Sequence, residues 1–240
     1  MTPIWILPAY PLLIIEFHAG VLSQKVVQKR TFDIILGRFT LQGIGFLVSM
    51  MIYSAFIYRL MTQKLPQEST RPGIFVSVGP SGFTVAGTVS KVEGAQRALP
   101  ANFKGNTPLA AMIIQVMASW ISLWIWALAL WFFFISVGAH RSCVGRGKMV
   151  FAMTWYSYVF PNTALVTSTF VIGKAFKCEP IQILGRIKTP MLICVWFSVV
   201  SMMIRAIILK QVLWPQKGED RERRGLQGAK AHKASDCVSS

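Results

Sequence analysis

"MTWYSYVFPNTALVTSTFVIG", Met153 to Gly173, is 21 residues without a charge, long enough as a helix to cross a bilayer, yet Pro161 sits near its middle. Proline inside a helix removes one backbone donor and clashes with the carbonyl four residues back, at about 3 kcal/mol. In lipid, a neighbouring helix must then satisfy the freed carbonyl. Either the stretch is not one continuous helix, or its bend is useful, and the rest of the chain has to decide.

Of 240 residues, 53% are hydrophobic and 14% charged, against about a quarter charged in a soluble domain. This is the composition of an integral membrane protein. A net charge of +16 would suggest nucleic acid in a soluble chain. Here the Lys and Arg lie between and after the apolar runs, beside anionic headgroups, so the expected partners are membrane lipids and no nucleic acid. Cys143, Cys178, Cys194 and Cys237 show no CxxC spacing and no partnering His cluster, so no metal, cofactor or disulfide framework is indicated. The chain enters an apolar run at Pro3 with no Lys or Arg before it, which reads as a first span rather than a secretory signal.

Six windows have the length and apolarity of a span: 4–22, 39–60, 73–90, 109–138, 149–173 and 189–209. They predict an all-α, polytopic helical membrane domain over residues 1–214, with three hairpins. Trp214 and Pro215 read as an interfacial anchor and a helix stop. Residues 215–240 form a basic tail with almost no apolar content, expected to be disordered. With that tail counted, the basic residues favour both ends on the cytoplasmic side.

The spans are of two kinds. The first, third and fifth carry breakers (Pro8 and Pro11; Gly79, Pro80 and Gly82; Pro161), and the others are long and greasy, Pro190 lying at the entrance of the sixth. Pro8, Pro80 and Pro161 recur 72 and 81 residues apart, a loose repeat of kinked helix then straight helix. Breakers are tolerated where helices pack on protein or line a water-filled path, whereas Trp, Phe and Leu suit lipid. The odd spans are expected inside and the even spans outside.

No catalytic constellation is present: no GxSxG, no P-loop, and the three histidines, His18, His140 and His232, are far apart in sequence. An enzyme is not expected. Glu16 and His18, in "LLIIEFHAGVLSQ", are ionisable groups at membrane depth, read either as a proton or substrate contact or as residues near the interface, within two turns of Ser23 and Gln24. A path lined by Pro, Gly, Ser and Thr, with cations at its mouths, favours anions, and helix dipoles at broken helices add fixed positive ends.

Four segments in order, "WILPAYPLLI", "IYRLMTQKLPQESTRPGIFVSVGPSGFT", "WYSYVFPNTAL" followed by "IGKA", and "IRAIILKQVLWPQKGED", resemble fungal malic acid transport proteins. These belong to the tellurite-resistance/dicarboxylate transporter family, which includes plant slow-type anion channels. "TRPGIFVSVGPSGFT" looks closer to the malate branch than to the sulfite-efflux branch. The resemblance implies ten helices in five hairpins, odd helices lining a pore and even ones surrounding it, in a homotrimer of separately conducting subunits in the plasma membrane. It places a gating aromatic at Phe160, one residue before Pro161, with Pro80, Ser81, Phe83, Thr84, Pro161, Asn162 and Thr163 as pore-lining candidates. Ordinary helix packing is the competing reading for each. The six spans correspond to the later part of such a protein, with two hairpins fewer on the N-terminal side, and Glu16, Phe17 and His18 stand where relatives have small residues and Thr. The expected function is passage of a small organic anion, malate or another C4-dicarboxylate. The alternatives are a sulfite or inorganic anion channel or exporter, and a truncated or relic membrane protein that transports nothing.

Overall fold

A computed structural model describes residues 3–15, 28–62, 68–92, 99–100, 105–144 and 152–209, and among them there is no strand. Glu16, His18, Trp214, Pro215 and the tail 215–240 lie outside the described residues. By its contacts the chain divides into two units, Met1–Phe197 and Ser198–Ser240. The described part of the second is the end of a helix and a turn, 198–209.

Three stretches share one local design, a 3₁₀ segment running into an α-helix. Pro3–Ala9 leads into α1 (10–15), Glu68–Ser77 into α3 (Val78–Val92), and Met153–Tyr158, through Val159, into α5 (Phe160–Ala175). The other three helices are long and unbroken: α2 (Gln28–Thr62), α4 (Thr107–Val144) and α6 (Glu179–Ile208).

This arrangement corrects the expectation of kinked helices. Pro161 occupies the first turn of α5, where an N–H has no intrahelical acceptor and proline removes nothing. Pro80 falls in the first turn of α3 and Pro11 is the second residue of α1. The repeating proline of the first stretch is therefore Pro11, while Pro8 lies within the 3₁₀ segment. Pro190, expected at an entrance, lies inside α6, and Pro180 is the residue in its first turn. Arg186 and Lys188, expected in a loop, are likewise helical. The first span extends no further than residue 15 among the described residues.

Length and apolarity allow three helical stretches to cross a membrane: Phe32–Thr62, Thr107–Arg141 and Glu179–Ile208. Their most apolar windows are only 22%, 22% and 11% buried, with Phe39, Met51, Trp124, Phe134 and Phe197 exposed. By contrast, every residue from Pro72 to Gly82 is buried. The division into inner broken elements and outer greasy helices follows from solvent, since bulky apolar side chains gain nothing by leaving lipid for protein while irregular backbone must be enclosed.

Helix association in lipid depends on close packing, which small residues permit. The helices α3 and α5 run side by side from the same level, with Gly82 against Ala164 and Val89 clustered with Ile172. A Cβ on Gly82 would lie 2.9 Å from the Ala164 carbonyl carbon. Some hydroxyls inside the bundle are absorbed by the backbone: Ser49, Ser136 and Thr169 each donate to the carbonyl four residues earlier, at 2.7–2.8 Å. Trp126 Nε1 donates to Thr169 Oγ1 at 3.0 Å, tying α4 to α5.

Two substitutions test this account by melting in detergent. Gly82→Ala pushes backbone against backbone and is expected to cost about 1–3 kcal/mol. Gly43→Ala, with no atom within 4 Å of the new methyl, is expected to be neutral or to stabilise by up to about 1 kcal/mol. Pro161→Ala distinguishes a helix start from a kink by sign. An interior proline would make alanine stabilising by about 3 kcal/mol, whereas a first-turn proline makes it destabilising by about 0.4–1 kcal/mol through greater freedom of the unfolded chain.

Candidate functional site

The starts of the three broken elements meet in a layer of aromatic rings. Tyr10, first residue of α1, lies 5.4 Å by ring centroids from Phe160, first residue of α5. Phe83, on the first turn and a half of α3, lies 5.3 Å from Phe160 and 6.0 Å from Tyr10, edge-on to the latter. Such separations are those of favourable offset and edge-to-face pairs. Tyr10 is 3% exposed and Phe160 44%, so Tyr10 is enclosed while Phe160, in contact with the other two rings, remains partly exposed.

Beneath the rings, the irregular backbone before α3 is held by tyrosine hydroxyls. Tyr10 donates to the Val76 carbonyl at 2.7 Å, and Tyr53 of α2 donates to the Ser77 carbonyl at 2.6 Å. Val76 is four residues before Pro80, so its carbonyl is the one that the missing N–H of Pro80 would have taken in an α-helix. Ser77 Oγ adds a bond to the Ile74 carbonyl at 2.7 Å. Gly79 makes the approach possible, because a Cβ there would overlap the Tyr10 hydroxyl. An aromatic precedes the proline in Tyr10–Pro11 and Phe160–Pro161, and glycine does so in Gly79–Pro80, since Tyr10 occupies that volume.

Of the residues singled out in the sequence, Phe160 and Phe83 come together in this layer. Pro80, Ser81, Thr84 and Pro161 are buried under it. Thr84 Oγ1 donates to the Pro80 carbonyl at 2.7 Å and accepts from Gln42 Nε2 at 2.6 Å. Asn162 Nδ2 donates to the Tyr158 carbonyl at 2.8 Å, and the exposed Thr163 donates to the Val159 carbonyl at 3.0 Å. The Thr84 and Thr163 hydroxyls and the Asn162 amide nitrogen are thus engaged with the local backbone, whereas the Ser81 hydroxyl and Asn162 Oδ1 are buried and make no such bond. Glu16 and His18 are outside the described residues.

Sequence reasoning missed Tyr10, Tyr53 and Gln42. Tyr10 had a signal, the aromatic–proline order shared with Phe160–Pro161. Tyr53 and Gln42 had a weaker one, since Arg38, Gln42, Gly45, Ser49, Tyr53 and Phe56 recur at helical spacing and form the buried stripe of α2. Starting that span at Phe39 cut the stripe short.

A second aromatic group lies toward the 3₁₀ segments. Phe75 meets Tyr158 at 5.1 Å and Phe133 at 6.1 Å. The Tyr158 hydroxyl is within 2.9 Å of His140 Nδ1, and the Lys188 ammonium sits 4.4 Å from the Phe133 ring centre, a cation–π geometry. No group of three or more His, Cys, Asp or Glu that could hold a metal occurs among the described residues.

Comparison with known proteins gives a consistent set of likenesses. A family model described as voltage-dependent anion channel, SLAC1, matches residues 1–204. The chain is 27% identical over 220 residues to a malic acid transport protein of Schizosaccharomyces pombe, covering 91% of this chain and 50% of that protein. It is 25% identical to a putative malic acid transport protein of the same organism, over 92% of this chain and 51% of that one. A sulfite efflux pump of Trichophyton rubrum is 24% identical over 88% of this chain and 56% of its own length. The chain spans about half the length of the curated relatives it matches. No solved structure matches it.

The tyrosine–carbonyl contacts predict a specific loss. Tyr53→Phe keeps the ring, which packs 4.4 Å from Phe132, and removes the hydroxyl with its bond to the Ser77 carbonyl and its interaction with Ser81. It is expected to lower stability by about 1–3 kcal/mol, read as a lower melting temperature in detergent, whereas Tyr58→Phe, at an exposed position of the same helix, should change it little.

Proposed function

The chain belongs to the voltage-dependent anion channel family, and on that premise we propose that it takes part in moving a small organic anion across a membrane, malate or another C4-dicarboxylate first. The observation that supports this most is the pairing of helix starts. The first turns of α3 and α5 stand side by side beneath the Phe83 and Phe160 rings. The aligned N–H groups of a helix start carry roughly half a positive charge, and two such ends at one level favour a negative ion. The malic acid transport proteins among the relatives bring the dicarboxylate to mind, and the sulfite efflux pump brings the alternative of sulfite.

In this reading Phe160 is the gate. Its ring closes a narrow path as a hydrophobic constriction that water and anions cross only when it swings aside. Tyr10 and Phe83 hold the ring and it remains partly exposed, so it has somewhere to move. Phe83, Thr163 and Asn162 are the neighbouring lining candidates, and Pro80, Ser81, Thr84 and Pro161 shape the helix starts from below. A homotrimer in the plasma membrane, with both ends of the chain cytoplasmic, completes the proposal by family resemblance.

Reconstitution into vesicles tests it. Saturable uptake of labelled malate that exceeds uptake of sulfite and chloride is the expected result; a preference for sulfite or chloride moves the assignment to the inorganic alternative, and no flux above empty vesicles favours the non-transporting one. Phe160→Ala separates gate from packing by sign. Removing a gate raises anion flux per folded molecule, whereas removing a packed ring leaves a cavity costing roughly 3–5 kcal/mol and lowers folded yield without raising flux.

A further inference from the structure

We infer that Tyr10 is the positioning residue of the Phe160 ring, a backstop fixed by its own hydroxyl that sets where the gate rests. The inference depends on the Phe160 gate proposed above and adds what holds that gate closed. Three contacts converge on Tyr10. Its hydroxyl donates to the Val76 carbonyl at 2.7 Å, and that carbonyl faces a proline in place of its α-helical donor. The end of its side chain fills the space that the side chain of Gly79 would otherwise occupy. Its ring lies 5.4 Å from Phe160 and 6.0 Å from Phe83, which in turn lies 5.3 Å from Phe160.

These contacts differ in what they allow. The bond from Tyr10 to the Val76 carbonyl is buried and its loss is costly, so the Tyr10 hydroxyl is held at Val76. The ring is fixed at its far end by that bond and enclosed on all sides, being 3% exposed. Phe160, by contrast, has no polar anchor and is 44% exposed. Of the two rings in contact, one belongs to a buried, hydrogen-bonded residue and the other to a part-exposed residue with no polar anchor. Rest position is therefore set by Tyr10, and movement belongs to Phe160. The 3₁₀ segment before α3 is part of the device, because it carries the Val76 carbonyl and presents it toward α1.

The test uses the full chain with fluorophenylalanine at position 160, read by fluorine NMR in detergent, together with anion flux in vesicles normalised to folded protein. Tyr10→Phe removes the anchor and keeps the ring. Gly79→Ala keeps Tyr10 and presses on its hydroxyl, so the idea stays testable if one of the two variants folds poorly. Gly43→Ala is the control, since nothing lies within 4 Å of its new methyl. The expected result is a shifted or split resonance at position 160 in Tyr10→Phe and Gly79→Ala and an unmoved one in Gly43→Ala. Flux in Tyr10→Phe should rise about two- to tenfold, the equivalent of one lost buried hydrogen bond, with no further rise when Phe160→Ala is combined with it beyond the level of Phe160→Ala alone. An unmoved resonance in both variants overturns the inference. A rise in flux in Phe160→Ala alone, with Tyr10→Phe at the parent's level, overturns it too and leaves the gate standing. Phe160→Ala at or below the parent's flux removes the gate, and the backstop with it.

Discussion

Irregular backbone must be enclosed and hydrogen-bonded where water is absent, and the bond from Tyr10 to the Val76 carbonyl serves that need. Pro80 offers no N–H to that carbonyl, and Tyr10 donates to it from a different helix. Gly79 leaves the room. Because one side chain does this from α1, the position of α1 against α3 is fixed by a polar contact rather than by apolar area, which has little directing power in lipid. Tyr53 repeats the arrangement from α2 one residue further on. Together the two hydroxyls hold a stretch of 3₁₀ backbone that could not face hydrocarbon unaided.

With that stretch secured, the remaining packing follows. The helices α3 and α5 start at the same level and approach closely because Gly82 meets Ala164 without side chain between them. Their aromatic residues then fall into one layer with Tyr10. The long helices α2, α4 and α6 contribute anchors on their inner stripes, such as Gln42 to Thr84 and Trp126 to Thr169, and present bulky apolar side chains outward. The Thr84 hydroxyl and the Asn162 amide nitrogen bond to backbone carbonyls.

Composition and apolar run length were enough to define an all-α membrane protein and to locate its three long helices to within a turn or two at most ends, because crossing lipid imposes a length and an apolarity that are written locally. The alternation of broken and unbroken elements was also legible, since proline and glycine act on their own backbone. What those residues do was not. Pro161 reads as a kink in the middle of 21 uncharged residues and is in fact a helix start, because the residues before it adopt 3₁₀ geometry with bonds to the third residue along, a choice that apolar periodicity does not record. Pro8 and Pro11 could not be ranked for the same reason. The partnership of Tyr10 with Val76, 66 residues away, and the gathering of Tyr10, Phe83 and Phe160 were decided only by tertiary structure. Each joins groups far apart in the chain, and no local pattern encodes which distant carbonyl lacks a donor or which glycine has been emptied to admit a ring.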